Sequence, residues 1–172
     1  MRLTDKVILV TGSTTGIGEA IARRVVAEGA RVVIHGRDAD RGQAIADGFP
    51  GRATLSLADL ADPAAGGQLV ESAINTYGAL DGVVNNAASV ARNDLQHTDA
   101  AFFDRMMAIN VRAPMLLIKA AYPHLKKSRG CVLNIGSINA YTGERHLLAY
   151  SMSKGALMTM SRNLADAFCY DQ

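Results

Sequence analysis

The chain has 172 residues, which suits one domain of ordinary size, and 49 % of them are hydrophobic, enough for a real core. The formal net charge is only +2, far from the basic stripe that nucleic acid or an anionic membrane demands, and no apolar run is long enough to span a bilayer. Two cysteines, Cys131 and Cys169, lie far apart and form neither a CxxC motif nor a disulfide framework, so a reducing cytoplasm is the expected compartment. Charges at Arg2, Asp5 and Lys6 are unlike a secretory signal.

Residues 6–11 (KVILVT) form a short apolar run followed at once by a Gly/Ser/Thr cluster, which predicts a buried strand and then a turn. Over residues 17–28 the period becomes helical, with Ile17, Ile21, Ala22, Val25 and Val26 on one face and Gly29 as the stop. A second strand is predicted at 31–35, a helix at 40–47, a weaker third strand at 53–57, and a helix from Pro63 to Tyr77 with the proline in its first turn. A fourth strand is predicted at 81–85, a long helix at 101–125 with a bend at Pro114, a fifth strand at 131–135 and a last long helix at 147–168. Five short strands, apolar throughout and alternating with helices, are the mark of a parallel sheet covered on both faces. The predicted class is therefore doubly wound α/β, in a single domain with no repeat or linker.

Two motifs carry chemistry. Between the first strand and helix stand Thr11-Gly12-Ser13-Thr14-Thr15-Gly16-Ile17-Gly18. Glycines let the backbone turn tightly and let a pyrophosphate come close, while the helix N-terminus supplies free N–H groups and partial positive charge. No lysine follows, so this is not a Walker-type loop. The second motif is Tyr150 and Lys154, four apart and hence on one helix face. A tyrosine of pKa about 10 is a poor acid or base near neutrality, and a nearby ammonium favours its phenolate. Tyr122 and Lys126 have the same spacing, so spacing alone does not choose between the pairs. Ser137, just past the fifth strand, favours Tyr150, because open α/β sheets bind ligands at the carboxyl edge. Tyr122 reads as a surface tyrosine beside the basic pair Lys126-Lys127. The methionines read as core or interface filler, and His35, His97, His124 and His146 have no metal-ligand spacing, so no metal is expected.

Together these pieces resemble the short-chain dehydrogenase/reductase family from Lys6 to the end of the chain. Thr11 to Gly18 resembles TGxxxGxG. Asp59-Leu60 looks like the pair that touches the adenine, and Asn85-Asn86-Ala87 resembles NNAG, with Ala88 in its fourth place. Asn110 matches the helix asparagine, and Ser137 with Tyr150-x-x-Ser153-Lys154 matches the serine and YxxSK. The resemblance implies a Rossmann-like sheet of order 3-2-1-4-5. It implies hydride transfer between a nicotinamide dinucleotide and a small carbonyl or secondary alcohol, with the chemistry at Asn110, Ser137, Tyr150 and Lys154. Tyr150 would be the general acid/base, Lys154 the cation that favours its phenolate and holds the nicotinamide ribose, Ser137 the partner of the substrate oxygen, and Asn110 the holder of a relay water. Cofactor contacts would come from Gly12, Ser13, Thr15, Gly16, Ile17, Gly18, Arg37, Asp59, Leu60, Asn86, Ala87, Tyr150 and Lys154. In NAD-preferring relatives an acid stands where this chain has Gly36. Here Arg37 follows instead, so NADP(H) is expected over NAD(H), provided that Asp38 caps the next helix and does not bind ribose.

The family's chain is longer, and strands 6 and 7 are missing from this one. The expectation is a domain over residues 1–172 that is incomplete at its C-terminus and nearly inactive alone. The alternative to a working oxidoreductase is a dinucleotide-binding pseudo-enzyme or inactive fragment. A homo-oligomer, dimer or tetramer, is expected through the two long helices, with Ala108, Val111, Met115, Ile118 and Met158 as apolar surface. Asn139, Tyr141, Glu144, Arg145, His146 and Leu147 should line the substrate pocket, and their mixture does not select a compound.

Overall fold

A computed structural model of the chain describes residues 1–169. Five strands, β1 (Val7–Val10), β2 (Arg31–Gly36), β3 (Ala53–Leu57), β4 (Gly82–Asn85) and β5 (Cys131–Asn134), form one parallel sheet in the order β3-β2-β1-β4-β5. The helices are α1 (Gly16–Ala27), α2 (Ala39–Asp47), α3 (Ala65–Tyr77), α4 (Ala100–Met107), α5 (Ala113–Ser128) and α6 (Leu148–Phe168). None of the described helices is long and apolar enough to cross a membrane.

Successive residues of a strand face opposite sides of the sheet, and the sequence supplies apolar groups for both. Val7, Leu9, Val33 and Val83 meet Leu69, Val70, Leu117 and Ala121 of α3 and α5. Ile8, Val10, Val32, Ile34 and Val84 meet Ala22, Val26, Ile45 and Ala46 of α1 and α2. The central β1 and β4 are buried at every position, whereas the edge strands β3 and β5 are half-exposed. At β5 this leaves Leu133 exposed on one face, while Val132 and Asn134 line a groove of about 700 Å³ with α5 and α6.

The structure departs from the sequence expectation in four local places. The third helix starts at Ala65, because the Asp62 carboxylate takes the Ala64 N–H at 2.9 Å and holds the segment from Pro63 as a turn. The single long helix is two, joined by a π-helical turn at Ala108–Arg112 in which Ala113 N–H donates to the Ala108 carbonyl. Pro114 has no N–H to give the Asn110 carbonyl, so the α-helical ladder fails there and a wider turn is accommodated. Ile17 is 65 % exposed rather than on the core face of α1. Two residues expected at the surface, Ala108 and Ile118, are packed inside, while Met115 is exposed.

Helices α3 and α5 approach at Gly66, where a Cβ would lie 2.8 Å from the Leu117 nitrogen and 2.9 Å from its Cα. Both are backbone atoms and cannot swing aside. Gly66→Ala is expected to destabilise by about 1–3 kcal/mol through overpacking, less about 1 kcal/mol returned by alanine's helix propensity. Gly67→Ala meets nothing within 4 Å and should be neutral or stabilising. Urea unfolding of the two variants checks the contrast.

Candidate active site

The turn after β1 is held on both sides. Thr11 Oγ1 accepts the N–H groups of Asn86 and Ala87 at 3.0 and 3.1 Å, and Asn86 Nδ2 donates to the carbonyls of Thr11 and Gly12 at 2.9 and 3.1 Å. Gly12 has φ of 63°, and a Cβ there would come within 2.9 Å of Ala87 Cα. A Cβ on Gly18 would run into the Gly12 carbonyl and the Asn86 amide. Ser13 is fully buried: its hydroxyl donates to the Val10 carbonyl at 2.7 Å and accepts the His35 N–H at 3.0 Å. It therefore shapes the turn. Thr15, Gly16 and Ile17 are exposed at the start of α1, and no side chain caps that helix. Uncapped N–H groups with a partial positive charge fit an anion such as a pyrophosphate.

At the end of β2, the space that a Gly36 Cβ would take is filled by Thr14, whose Oγ1 lies 2.7 Å from it. An acidic side chain at this position would have to displace Thr14. Arg37 is exposed and makes no hydrogen bond or ion pair among the described residues. Asp38 caps α2, accepting the Arg41 N–H at 3.0 Å, and ion-pairs with Arg41 at 3.3 Å. Asp59 accepts the Ala61 N–H at 2.9 Å and pairs with Arg105 at 3.3 Å, which together hold its carboxyl below the usual range, the backbone bond most of all. Leu60 is buried in the core next to it.

The chemistry candidates sit where β5 gives way to α6. Lys154 is 3 % exposed, donates from Nζ to the Ile135 carbonyl at 2.7 Å, and lies 5.8 Å from the centre of the Tyr150 ring. Burial pushes its ammonium below the usual lysine range. Ser137 begins a short 3-10 turn (Ile138–Ala140), and its hydroxyl accepts the Asn139 N–H at 3.2 Å. The hydroxyl hydrogen is left for another acceptor. Lys126 lies 5.9 Å from the Tyr122 ring, nearly the same separation, so ring distance does not separate the two pairs. Surroundings do: Lys126 is exposed, and Tyr122 stacks on Phe168 at 4.6 Å, packing α5 to α6 instead of lying free on the surface.

Asn110, 1 % exposed, is fully used by the protein. Its Oδ1 accepts the Ser89 N–H at 2.7 Å, and its Nδ2 donates to the Ser89 carbonyl and to Ser153 Oγ, both at 2.9 Å. Asn85 donates to Asn134 at 2.8 Å, and Asn134 donates to Ser161 at 2.8 Å. Beside the start of α6, Leu95, Gly143, Glu144, Arg145, Leu148 and Ser151 line a shallow cavity of about 420 Å³. The loop carrying Glu144 is tied to the preceding segment by Arg92 at 3.0 Å and by Asn93 N–H to the His146 carbonyl at 2.9 Å. Sequence reasoning does not find that segment, with Leu95, because nothing in its spacing announces a partner fifty residues on. Ser89 escapes it too, and the structural contacts of Ser153 and His35 show only in the fold. Among the described residues no three His, Cys, Asp or Glu side chains converge as metal ligands.

Residues 6–172 match the family described as short chain dehydrogenase. An L-fucose dehydrogenase of Bos taurus is 38 % identical over 165 residues, 95 % of this chain and 61 % of that protein. A blue fluorescent protein from a metagenomic library, solved with NADPH, is 36 % identical with TM-score 0.93, over 99 % of this chain and 72 % of that one. An NADH-dependent reductase solved with NAD is 31 % identical with TM-score 0.92, over 98 % and 75 %. The chain thus spans less than two thirds of the length of its bovine relative.

Removing the Asn110 carboxamide strands the Ser89 N–H and carbonyl at once. Asn110→Ala is expected to destabilise by about 2 kcal/mol or more, measured by thermal unfolding, whereas Asn93→Ala, at an exposed bond to His97, should cost less.

Proposed function

Since the chain belongs to the short-chain dehydrogenase family, we propose that the protein moves hydride between NADP(H) and a small carbonyl or secondary alcohol. The observation that carries this reading is the buried Lys154 ammonium beside the Tyr150 ring, bonded to the Ile135 carbonyl two residues before Ser137. Gly12 and Gly18 let the turn pack closely against Ala87 and Asn86, Gly16 is open, and α1 starts uncapped, an arrangement that fits a pyrophosphate. Ser13 sets the loop's shape, Thr15 and Ile17 flank the phosphates, and Asp59, Leu60, Asn86 and Ala87 border the adenosine and the sheet edge. The dinucleotide, when bound, supplies or accepts the hydride.

Tyr150 Oη gives its proton to the carbonyl oxygen in reduction and takes it from the alcohol in oxidation. Lys154 stabilises the phenolate that this leaves. One of its three N–H donors goes to Ile135, which leaves two for ribose hydroxyls. Ser137 donates its free hydroxyl hydrogen to the substrate oxygen and stabilises charge developing there. The Asn110 carboxamide is spent, so a relay water behind Lys154 would rest on its main-chain carbonyl, which Pro114 leaves without an α-helical donor.

The preference for NADP(H) is supported by the unpaired Arg37, by Thr14 in the space an acid at position 36 would need, and by Asp38's commitment to capping α2. A homo-oligomer is supported by the 46 % exposed Met115 and by the half-buried Val111 and Met158 on the two long helical segments. A cytoplasmic location is supported by two free cysteines.

Two measurements test this. By calorimetry NADP(H) should bind more tightly than NAD(H), and Arg37→Ala should weaken NADP(H) about ten-fold while sparing NAD(H); tighter NAD(H) binding overturns the preference. In the full-length protein, Tyr150→Phe should lower turnover about 10²- to 10⁴-fold at unchanged cofactor affinity. Tyr122→Phe should leave turnover nearly intact, and equal losses overturn the assignment.

A further inference from the structure

His35 is a buried titratable side chain that the proposed chemistry does not use. It is 3 % exposed, near the end of β2, and both ring nitrogens are engaged. Nδ1 lies 3.0 Å from the Gly12 nitrogen, and Nε2 lies 3.1 Å from the Ala58 carbonyl. A backbone N–H can only donate and a carbonyl can only accept, so these partners dictate one form of the ring: neutral, with the hydrogen on Nε2. The main chain adds to the hold. The Ser13 N–H donates to the His35 carbonyl at 2.8 Å, and the His35 N–H donates to Ser13 Oγ. His35 thus ties the glycine turn on one side and the residue before Asp59 on the other.

We propose that His35 is a positioning residue for dinucleotide binding, its neutral ring holding the glycine turn in the shape that receives the pyrophosphate, so that protonation of the ring weakens the cofactor. The inference rests on the dinucleotide reading above and adds a regulated element to it. Protonation can only occur at Nδ1, because Nε2 already carries hydrogen. The new N–H then points at the Gly12 N–H. Two donors face each other, and a buried amide in the pyrophosphate turn loses its acceptor.

The ionisable groups facing the ring are few. Arg37, at the end of β2, opposes its protonation, and Asp59, after β3, favours it. Asp59 is itself paired with Arg105 of α4. The turn before α1 brings only the hydroxyls of Ser13 and Thr14. Burial, the largest influence, pushes the ring below the usual histidine range, so it is neutral at pH 7. The folded protein disfavours the proton more than the unfolded chain does. The hold on the turn is therefore still intact at pH 6.5, where a free imidazole is half protonated, and is lost only as pH falls through the lower range in which the buried ring takes its proton. An imidazolium would also attract a pyrophosphate, but the amides that meet the pyrophosphate are those the lost acceptor releases, so the loss of shape governs.

The test uses ADP-ribose, which carries the pyrophosphate but no 2′-phosphate to titrate in the same range. Its affinity for the full chain is measured by calorimetry from pH 8 to pH 5, with far-ultraviolet circular dichroism at each point. The unmutated protein should bind steadily through pH 6.5 and weaken only at lower pH, by as much as about ten-fold per pH unit once the buried ring titrates. His35→Asn places an acceptor oxygen near the Nδ1 position and does not titrate. It should bind within about three-fold of the unmutated protein at pH 8 and show a flat profile. His35→Leu keeps bulk without an acceptor and should bind roughly ten-fold more weakly at pH 8, also without a slope. An affinity for ADP-ribose that is constant or rises on acidification, or an asparagine variant that keeps the slope, overturns the role of His35 alone. Absence of ADP-ribose binding at pH 8 overturns the dinucleotide reading and this one with it.

Discussion

The Gly12 carbonyl and the Asn86 amide occupy the place where a side chain on Gly18 would begin, and the ligand end of the sheet is built around that contact. Because the first turn of α1 can lie so close to the end of β1, the helix starts directly over the strand and its N-terminal amides stand at the carboxyl edge of the sheet. Thr11 and Asn86 then lace the turn to β4, and His35 and Ser13 lace it to β2. The turn is thus braced from both neighbouring strands, and the exposed amides at Thr15, Gly16 and Ile17 need no reorganisation to meet an anion.

The two halves of the candidate site are held by different means. At the glycine turn, the side chains of Thr11, Asn86, Ser13 and His35 hold backbone groups in place. At α6 the side chains matter, and the backbone serves them: the Ile135 carbonyl anchors Lys154, and the Ser89 main chain anchors Asn110, which reaches Ser153 one residue before Lys154. A buried ammonium is costly unless it is hydrogen-bonded. Its burial, 5.8 Å from the centre of the Tyr150 ring, distinguishes this pair from the Tyr122–Lys126 pair, whose lysine is exposed.

Much of this architecture is legible in the amino-acid sequence. The strands are legible because parallel strands covered on both faces need unbroken apolar runs, and the strand order follows from the family resemblance. The glycines between β1 and α1 are legible because their spacing lies within one turn, whereas the four-residue spacing of Tyr150 and Lys154 is shared by Tyr122 and Lys126, and only the fold shows that Lys154 is buried and Lys126 exposed. Ile17 misleads because its apolar side chain fits a helical period, and periodicity does not distinguish a core face from an exposed one. The π-helical turn shows in the sequence only as a bend, since Pro114 reports a missing donor without saying how the backbone will adjust. The roles of His35 and Asn110 inside the fold are opaque for a common reason: their partners are backbone groups, and every residue type has those. Only the fold brings Ala58 and Gly12 to one imidazole, or Ser89 to one carboxamide.

The amide of Asn85 also bears on how the sheet finds its pairing. A parallel strand that slides by two residues keeps every side chain on its proper face, so burial of valine and leucine discriminates poorly among such alignments. The bond from Asn85 to Asn134, joining positions 49 apart in the chain, does discriminate, since a slip of two residues moves the acceptor by about 6.6 Å. Asn134 passes the same requirement to Ser161, whose hydroxyl donates to the Leu157 carbonyl, so α6 must also dock at one height. In a misaligned sheet Asn85 is buried without a partner, and the error is penalised while the chain is still assembling. A short relay of polar side chains in an otherwise greasy strand pair thus acts as a proofreader, rejecting near-equivalent alignments that the apolar core would accept.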